Sequence, residues 1–277
     1  MSDPRSQPTI RLGADSMPAL GLGTWQLEGE ACETAVRLAL DLGYRHLDTA
    51  QIYGNEAEVG RALEASDVDR QDVFLTTKIW NSNLAPQPLL ESFAASLDRL
   101  RTAWVDLLLI HWPHAGVPLD ETLGAMRQLQ TAGSARQLGV SNFPPSWIER
   151  ARSHADVVCN QVEYHPYLGQ SALIETLGRH DMVLTAYSPL ARGEVQSDPT
   201  LREIGERHGK TAAQVALRWL IQQPRVAAIP KASSAEHLAS NAAIFDFTLS
   251  DAEMEQIRGL DRDDRKIQPK FAPDWER

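Results

Sequence analysis

Long apolar runs are missing from this 277-residue chain. None approaches the ~18 residues that a membrane span needs, so no spanning segment is expected. The start, Met1 to Pro8, is polar and carries nothing like a signal peptide. Cysteine is scarce. Cys32 and Cys159 lack the paired spacing of a zinc or redox motif, which excludes a disulfide framework and fits a reducing cytosol. Their simplest reading is small buried filler. Positive charge is in deficit: the formal net charge is −10, whereas nucleic-acid grooves are basic, so no nucleic-acid partner is expected. The acidic balance serves solubility. Low-complexity segments, linkers and breaks in composition are also lacking, which argues against several loosely joined units.

What is present is an alternation. Short apolar runs at Ala19–Leu22, His46–Asp48, Val73–Thr77, Val105–Ile110, Ala135–Val140, Val157–Gln161, Met182–Ala186 and Val226–Ile229 read as strands. Val105–Ile110 is almost continuously apolar, as a buried parallel strand is. Helical spacing fills the gaps. Ala31, Ala35, Leu38 and Leu42 share one face, as do Leu90, Phe93, Leu97 and Leu100. Further helices are expected over Leu119–Ala132 with Gly133 as stop, Ser146–Ser153, Ser171–His180, Leu201–His208, Thr211–Gln222, Ser234–Ala243 and Ser250–Gly259. Thr211 with Gln214, and Asn55 with Glu58, have capping-box spacing. Eight strands alternating with helices suit a doubly wound sheet or a closed barrel. The first strand leads into Gly21-Leu22-Gly23-Thr24-Trp25-Gln26, which lacks the third glycine of a dinucleotide fingerprint. The length favours the barrel, a fold that typically takes roughly 250 residues.

All but one of these strands run out on polar groups: Asp48, Lys78, His111, Ser141-Asn142, Asn160-Gln161, Tyr187-Ser188 and Lys231. In a barrel those ends lie on one rim, where active sites of this fold sit, so the pattern predicts a site. Individually the residues are ambiguous. Asp48 and Lys78 form either a catalytic pair or a stabilising one. Tyr53, alone, is an ordinary loop aromatic; beside a lysine its phenol, normally near ~10, is pulled downward and suits proton donation. His111 reads equally as a core histidine, and His111 with His114 is a weak metal signal with no third ligand, so no metal is expected. Tyr187 is either packing or a flat face for a planar ring. Ser233 and Ser234 are helix caps or the start of an anion site.

Taken in order, these blocks resemble the aldo-keto reductase family. They are Asp48-Thr-Ala-Gln-Ile-Tyr-Gly-Asn-Glu-Ala-Glu-Val-Gly60, Thr77-Lys78-Ile79-Trp80, Val105 to Pro113, Gly139 to Phe143, Asn160 to Pro166, Tyr187-Ser188-Pro189-Leu190 and Ile229-Pro230-Lys231. The compact length and the ending Phe271-Ala272-Pro273-Asp274-Trp275 look most like the bacterial 2,5-diketo-D-gluconate reductase group, B type. Residues 1–8 read as a flexible tail. The resemblance implies a single (β/α)8 TIM barrel over 9–277, with a short N-terminal hairpin and a C-terminal loop over the rim. It further implies a monomeric, cytoplasmic enzyme that reduces small carbonyl compounds (α-dicarbonyls, keto esters, keto sugars) with NADPH. Tyr53 would be the general acid, tuned by Asp48 and Lys78, with His111 orienting the carbonyl. Gly23, Thr24, Trp25, Asp48, Ser141, Asn142, Gln161, Tyr187, Ser188, Leu190, Lys231, Ala232, Ser233, His237 and Asn241 would hold the cofactor. Within that set, Ser141, Asn142 and Gln161 would hold the carboxamide and Tyr187 would stack on the nicotinamide ring. Trp25, Ile52, Tyr53, Trp80, His111 and the C-terminal loop would shape the substrate pocket.

One region departs from the pattern. NADPH-preferring relatives commonly carry serine after the lysine and arginine six positions beyond the lysine; here stand Ala232 and His237. Histidine is mostly neutral at pH 7 and cannot grip a phosphate bidentately, so NADH is expected to be accepted as well. Three rivals stand beside the reductase: a non-catalytic nicotinamide-binding module, a Schiff-base barrel enzyme with Lys78 as nucleophile, and a purely structural role.

Overall fold

The structure is a computed structural model and describes residues 7–275. Most of the expected tail 1–8 lies outside the described residues; the Pro8 carbonyl accepts from the Ala19 N–H at 2.9 Å. An antiparallel hairpin, β1 (Thr9–Leu12) and β2 (Asp15–Pro18), comes first. Strand and helix then alternate: β3 (Leu22–Gly23), α1 (Gly29–Asp41), β4 (His46–Asp48), α2 (Glu56–Glu64), β5 (Phe74–Ile79), α3 (Pro86–Leu100), β6 (Val105–Ile110), α4 (Leu119–Thr131), β7 (Ala135–Ser141), α5 (Pro145–Arg152), β8 (Val157–Glu163), α6 (Ser171–Arg179), β9 (Val183–Tyr187), α7 (Pro199–His208), α8 (Ala212–Ile221), β10 (Val226–Ala228), α9 (Ala235–Ala242) and α10 (Asp251–Arg258).

Strands β3 to β10 pair in parallel, each with the next in sequence. The ring closes where Leu20 bridges Ala228, and where the N–H groups of Gly21 and Gly23 donate to the carbonyls of Ala228 and Pro230 at 2.9 and 3.2 Å. Both glycines are there for space. A Cβ on Gly23 would stand 2.6 Å from the Ile229 carbonyl oxygen, and one on Gly21 would stand 2.7 Å from the His46 ring. The closing seam therefore tolerates no side chain.

Strand alternation divides the apolar residues into two layers. Leu107 and Leu109 of β6 point inward with Phe74, Cys159 and Val183, while Leu108 and Ile110 pack outward on the helices. Leu12 and Met17 of the hairpin join the inner group, so the hairpin plugs the lower end of the barrel. The architecture is the (β/α)8 barrel with an N-terminal hairpin.

Local expectations fared unevenly. Thr211 and Gln214 do form a capping box on α8. Asn55 does not cap α2. Its buried amide donates to the carbonyls of Thr24 and Leu27 at 2.8 and 2.9 Å and accepts from Thr49 Oγ1 at 2.8 Å, stitching the loop after β3 to the loop after β4. On α3 the fully buried seam is Leu89, Phe93, Ser96 and Leu100; Leu90 and Leu97 pack at its flank.

Candidate active site

Lys78 sits inside β5, one residue before its end, and Asp48 ends β4 beside it. Both are essentially sealed from solvent. The ammonium has three protons and uses all of them: Asp48 Oδ1 at 2.5 Å, the Thr49 carbonyl at 2.8 Å and the Tyr53 hydroxyl at 3.2 Å. Asp48 Oδ2 accepts from Gln161 Nε2 at 2.6 Å, so the carboxylate is satisfied from both sides. Tyr53 arrives on a 3-10 turn, Gln51–Tyr53, which Gly54 ends with a positive φ of 69°. A left-handed stop of this kind favours glycine. Ile52, next to Tyr53 on the turn, is left exposed.

The electrostatics correct one sequence expectation. Burial pushes the Tyr53 phenol above its ordinary value, and the opposing Lys78 ammonium does not reverse this. For Lys78, burial alone would lower the ammonium; the Asp48 charge, helped by Tyr53, holds it above the usual lysine value. Burial, then Lys78, push the His111 imidazole well below the usual histidine value. At neutral pH the cluster therefore holds a protonated phenol, an ammonium and a neutral imidazole.

His111 follows β6 directly. Its ring stands edge-on to Tyr53 at 5.6 Å and to Trp80 at 5.3 Å. Its backbone carbonyl accepts from Asn142 Nδ2 at 3.0 Å, whereas Nδ1 is buried without a partner. Trp25, half-exposed, lies 4.9 Å from the Tyr53 ring. The far wall comes from the C-terminal loop: Phe271 packs on Trp80 at 5.7 Å and Trp112 at 5.6 Å, and Trp275 on Trp112 at 6.3 Å.

A second cluster touches the first. Ser141 ends β7, and its hydroxyl donates to the Gln161 carbonyl at 2.8 Å. Asn142 Nδ2 reaches Ser141 Oγ at 3.0 Å, and the Tyr187 hydroxyl donates to Asn142 Oδ1 at 2.7 Å. Asn142 and Ser188 adopt φ of 63° and 48°, a left-handed backbone that non-glycine residues take at a cost, and both lie just past strand ends on this rim. Leu190 is partly buried against the core. Gly23 and Thr24 lie at the seam, the Thr24 hydroxyl donating to the Asp48 carbonyl at 3.0 Å.

The remaining residues form a separate stretch around the start of α9. Lys231, Ser233 and His237 are exposed, while Ala232 and Asn241 are buried. Ser234 is the cap, accepting from the His237 N–H at 3.2 Å. Gly23, hydrogen-bonded to Pro230, connects this stretch to the rim.

Sequence reasoning missed several supporting groups: Thr49, whose carbonyl takes a Lys78 proton; Gln51, whose Oε1 accepts from the Trp80 N–H at 2.9 Å; Trp112; and Glu163. The family-like block from Asn160 to Pro166 contains Glu163, but the apolar run read as a strand ends at Gln161, short of it.

A parallel barrel with buried ionisable groups on its C-terminal rim defines the class of protein. The aldo/keto reductase family model matches residues 19–262, and the chain belongs to the aldo-keto reductase family. Among solved structures, one assigned provisionally as 2,5-diketo-D-gluconic acid reductase B is 46% identical over 99% of both chains, with a TM-score of 0.97. An aldo-keto reductase of Mycolicibacterium smegmatis is 42% identical, over 92% of this chain and 94% of its own. The methylglyoxal reductase DkgB of Salmonella typhimurium is 38% identical, over 94% of this chain and 100% of its own. Among the described residues, no helix is long and apolar enough to cross a membrane.

Proposed function

We propose that the chain reduces small aldehydes and ketones to alcohols with NADPH, and that Tyr53 delivers the proton to the carbonyl oxygen. The observation that carries this reading is the Lys78 ammonium, locked between Asp48 and the Tyr53 hydroxyl. It stabilises negative charge as it develops on the phenol oxygen. The neutral His111 beside it is suited to donate one hydrogen bond to the same carbonyl oxygen, so the developing oxyanion meets two donors.

The donor set fits a nicotinamide. Ser141, Asn142 and Gln161 supply side-chain amides and a hydroxyl, the chemistry a carboxamide needs, and half-buried Tyr187 supplies a flat ring. When bound, the cofactor supplies the hydride. The exposed start of α9, with Lys231 and Ser233, suits the phosphates. The relatives named for methylglyoxal and diketo-gluconic acid support α-dicarbonyls and keto sugars as substrates. Lys78 is a poor Schiff-base nucleophile, because its raised pKa and three hydrogen bonds leave no free lone pair. We take the working form as a cytoplasmic monomer; two free buried cysteines support the compartment, and sedimentation velocity tests the monomer.

The pH dependence follows from the signs. A phenol whose pKa is raised above 10 stays protonated below that value. Reduction, which uses the acid form, is expected to hold a flat kcat between about pH 6 and 9. Alcohol oxidation needs the phenolate and is expected to climb with pH across the same range. A reduction rate that falls between pH 7 and 8 would contradict the assignment.

NADPH is expected to be preferred, with measurable NADH turnover. His237→Arg is expected to raise the NADPH-to-NADH ratio of kcat/KM by about tenfold, since a charge-assisted fork replaces a ring that cannot grip a phosphate bidentately. Initial rates with both cofactors check this. An unchanged ratio removes His237 from the phosphate site, and wild-type NADH efficiency equal to or above that of NADPH overturns the cofactor assignment.

A further inference from the structure

Glu163 is the last residue of β8, paired in register with Tyr187, and none of the chemistry above uses it. It is completely buried, and a buried carboxylate is costly unless its oxygens are bonded. Here they are. Oε1 accepts from the Lys266 N–H at 2.7 Å and faces His165 Nε2 at 3.0 Å; Oε2 accepts from the Ile267 N–H at 2.8 Å. An ionised carboxylate only accepts, so His165 presents Nε2–H to it. Each oxygen thus holds one backbone amide of the C-terminal loop.

That loop has no regular secondary structure of its own: from Leu260 to Trp275 the backbone forms no helix or strand. A chain without a hydrogen-bond ladder takes its course from the side chains that satisfy it. Its other ties include the Tyr167 carbonyl, which accepts from the Arg262 and Asp264 N–H groups at 3.3 and 2.9 Å, Asp261 Oδ1, which accepts from the Gly169 N–H at 2.9 Å, the Arg262 guanidinium over the Tyr167 ring at 4.0 Å, and ion pairs of Lys266 and Arg262 with Glu194. The ion pairs are partly exposed and contribute little. The Glu163 bonds are buried and charge-assisted, which makes them the strong ones. Downstream of the two held amides come Phe271 and Trp275, which pack on Trp80 and Trp112 to form the wall opposite Tyr53.

We propose that Glu163 is a positioning residue for substrate selection: by gripping the amides of Lys266 and Ile267, it fixes the aromatic wall against which a bulky carbonyl compound must lie. This rests on reading the Tyr53 cluster as a carbonyl-reducing site. A small aldehyde that does not reach Phe271 is indifferent to Glu163, whereas an aromatic keto ester depends on it. Both substrates share the same proton donor, so the effect falls on KM and not on kcat.

The test compares the full-length protein with E163Q and E163D. E163Q removes the charge and turns an amide NH2 toward a backbone N–H. For ethyl benzoylformate, KM in E163Q is expected to rise about tenfold, the scale of losing a charge-assisted bond at a buried site. Its kcat, and both constants for methylglyoxal, are expected to stay within about twofold. Trypsin cleavage after exposed Lys270 is expected to accelerate by a similar factor. In an F271A/W275A background, E163Q is expected to change the KM ratio no further, because the wall it positions is gone. E163D keeps the charge and covers the case in which E163Q does not fold; it is expected to shift the KM ratio the same way. Three results would overturn the proposal: unchanged KM ratio and trypsin rate in the folded variants, an equal loss of kcat on both substrates, or an undiminished effect without the two aromatics. Should the wild type reduce no carbonyl compound, the trypsin rate still reports on the grip, so the two failures are distinguishable.

Discussion

Tyr53→Phe is expected to lower kcat by roughly 10²–10⁴-fold while leaving the NADPH dissociation constant within about twofold, the range a positioned general acid contributes. The substitution removes one oxygen and little else. The ring keeps its contacts with Trp25 at 4.9 Å and His111 at 5.6 Å, so the pocket wall survives. Lys78 loses the weakest of its three bonds, the one at 3.2 Å, and keeps Asp48 and the Thr49 carbonyl. The expected stability change is accordingly small, about 1 kcal/mol. Of the residues proposed to hold the cofactor, Ser141, Gln161 and those around α9 make no hydrogen bond to the phenol, and the Trp25 ring contact survives the substitution. Steady-state rates combined with fluorescence titration of NADPH separate the two quantities. Turnover close to wild type would remove Tyr53 from the mechanism.

Asp48→Asn is expected to damage both activity and stability. The carboxylate faces Lys78 on one oxygen and the Gln161 amide on the other, sealed from solvent. Asparagine offers one acceptor and one NH2, so one of those donors meets another donor. The ammonium is left buried without an anion, and burial then drives its pKa down. Breaking a buried pair from one side costs about 3–5 kcal/mol. Denaturant unfolding is expected to show that loss, and kcat is expected to fall by at least about 10²-fold because the phenol loses its charged neighbour. An unfolding free energy within about 1 kcal/mol of wild type would show that the pair does not support the rim.

The parts of the site legible in the sequence are those that local pattern controls. Apolar runs expose where strands stop, and the residues at those stops, Asp48, His111 and Ser141 among them, share the rim because the barrel is parallel throughout. Lys78 is more deeply placed than expected, inside β5 instead of after it. The failures come from tertiary context. Asn55 has the spacing of a helix cap, but the carbonyls of Thr24 and Leu27 reach its amide from about thirty residues away. The direction of the Tyr53 shift is hidden from the sequence, which shows the lysine but not the burial that outweighs it. Glu163 is not legible because a charged residue ends an apolar run, although β8 continues to it and the C-terminal loop returns to satisfy it.

The most direct test of the central claim is to mix the purified protein with NADPH and methylglyoxal, follow NADPH consumption, and quantify the alcohol formed. Catalytic, stoichiometric conversion of one NADPH per alcohol is the predicted result. Tight NADPH binding with no consumption over a panel of aldehydes and ketones would contradict it, leaving a cofactor-binding module in place of a reductase.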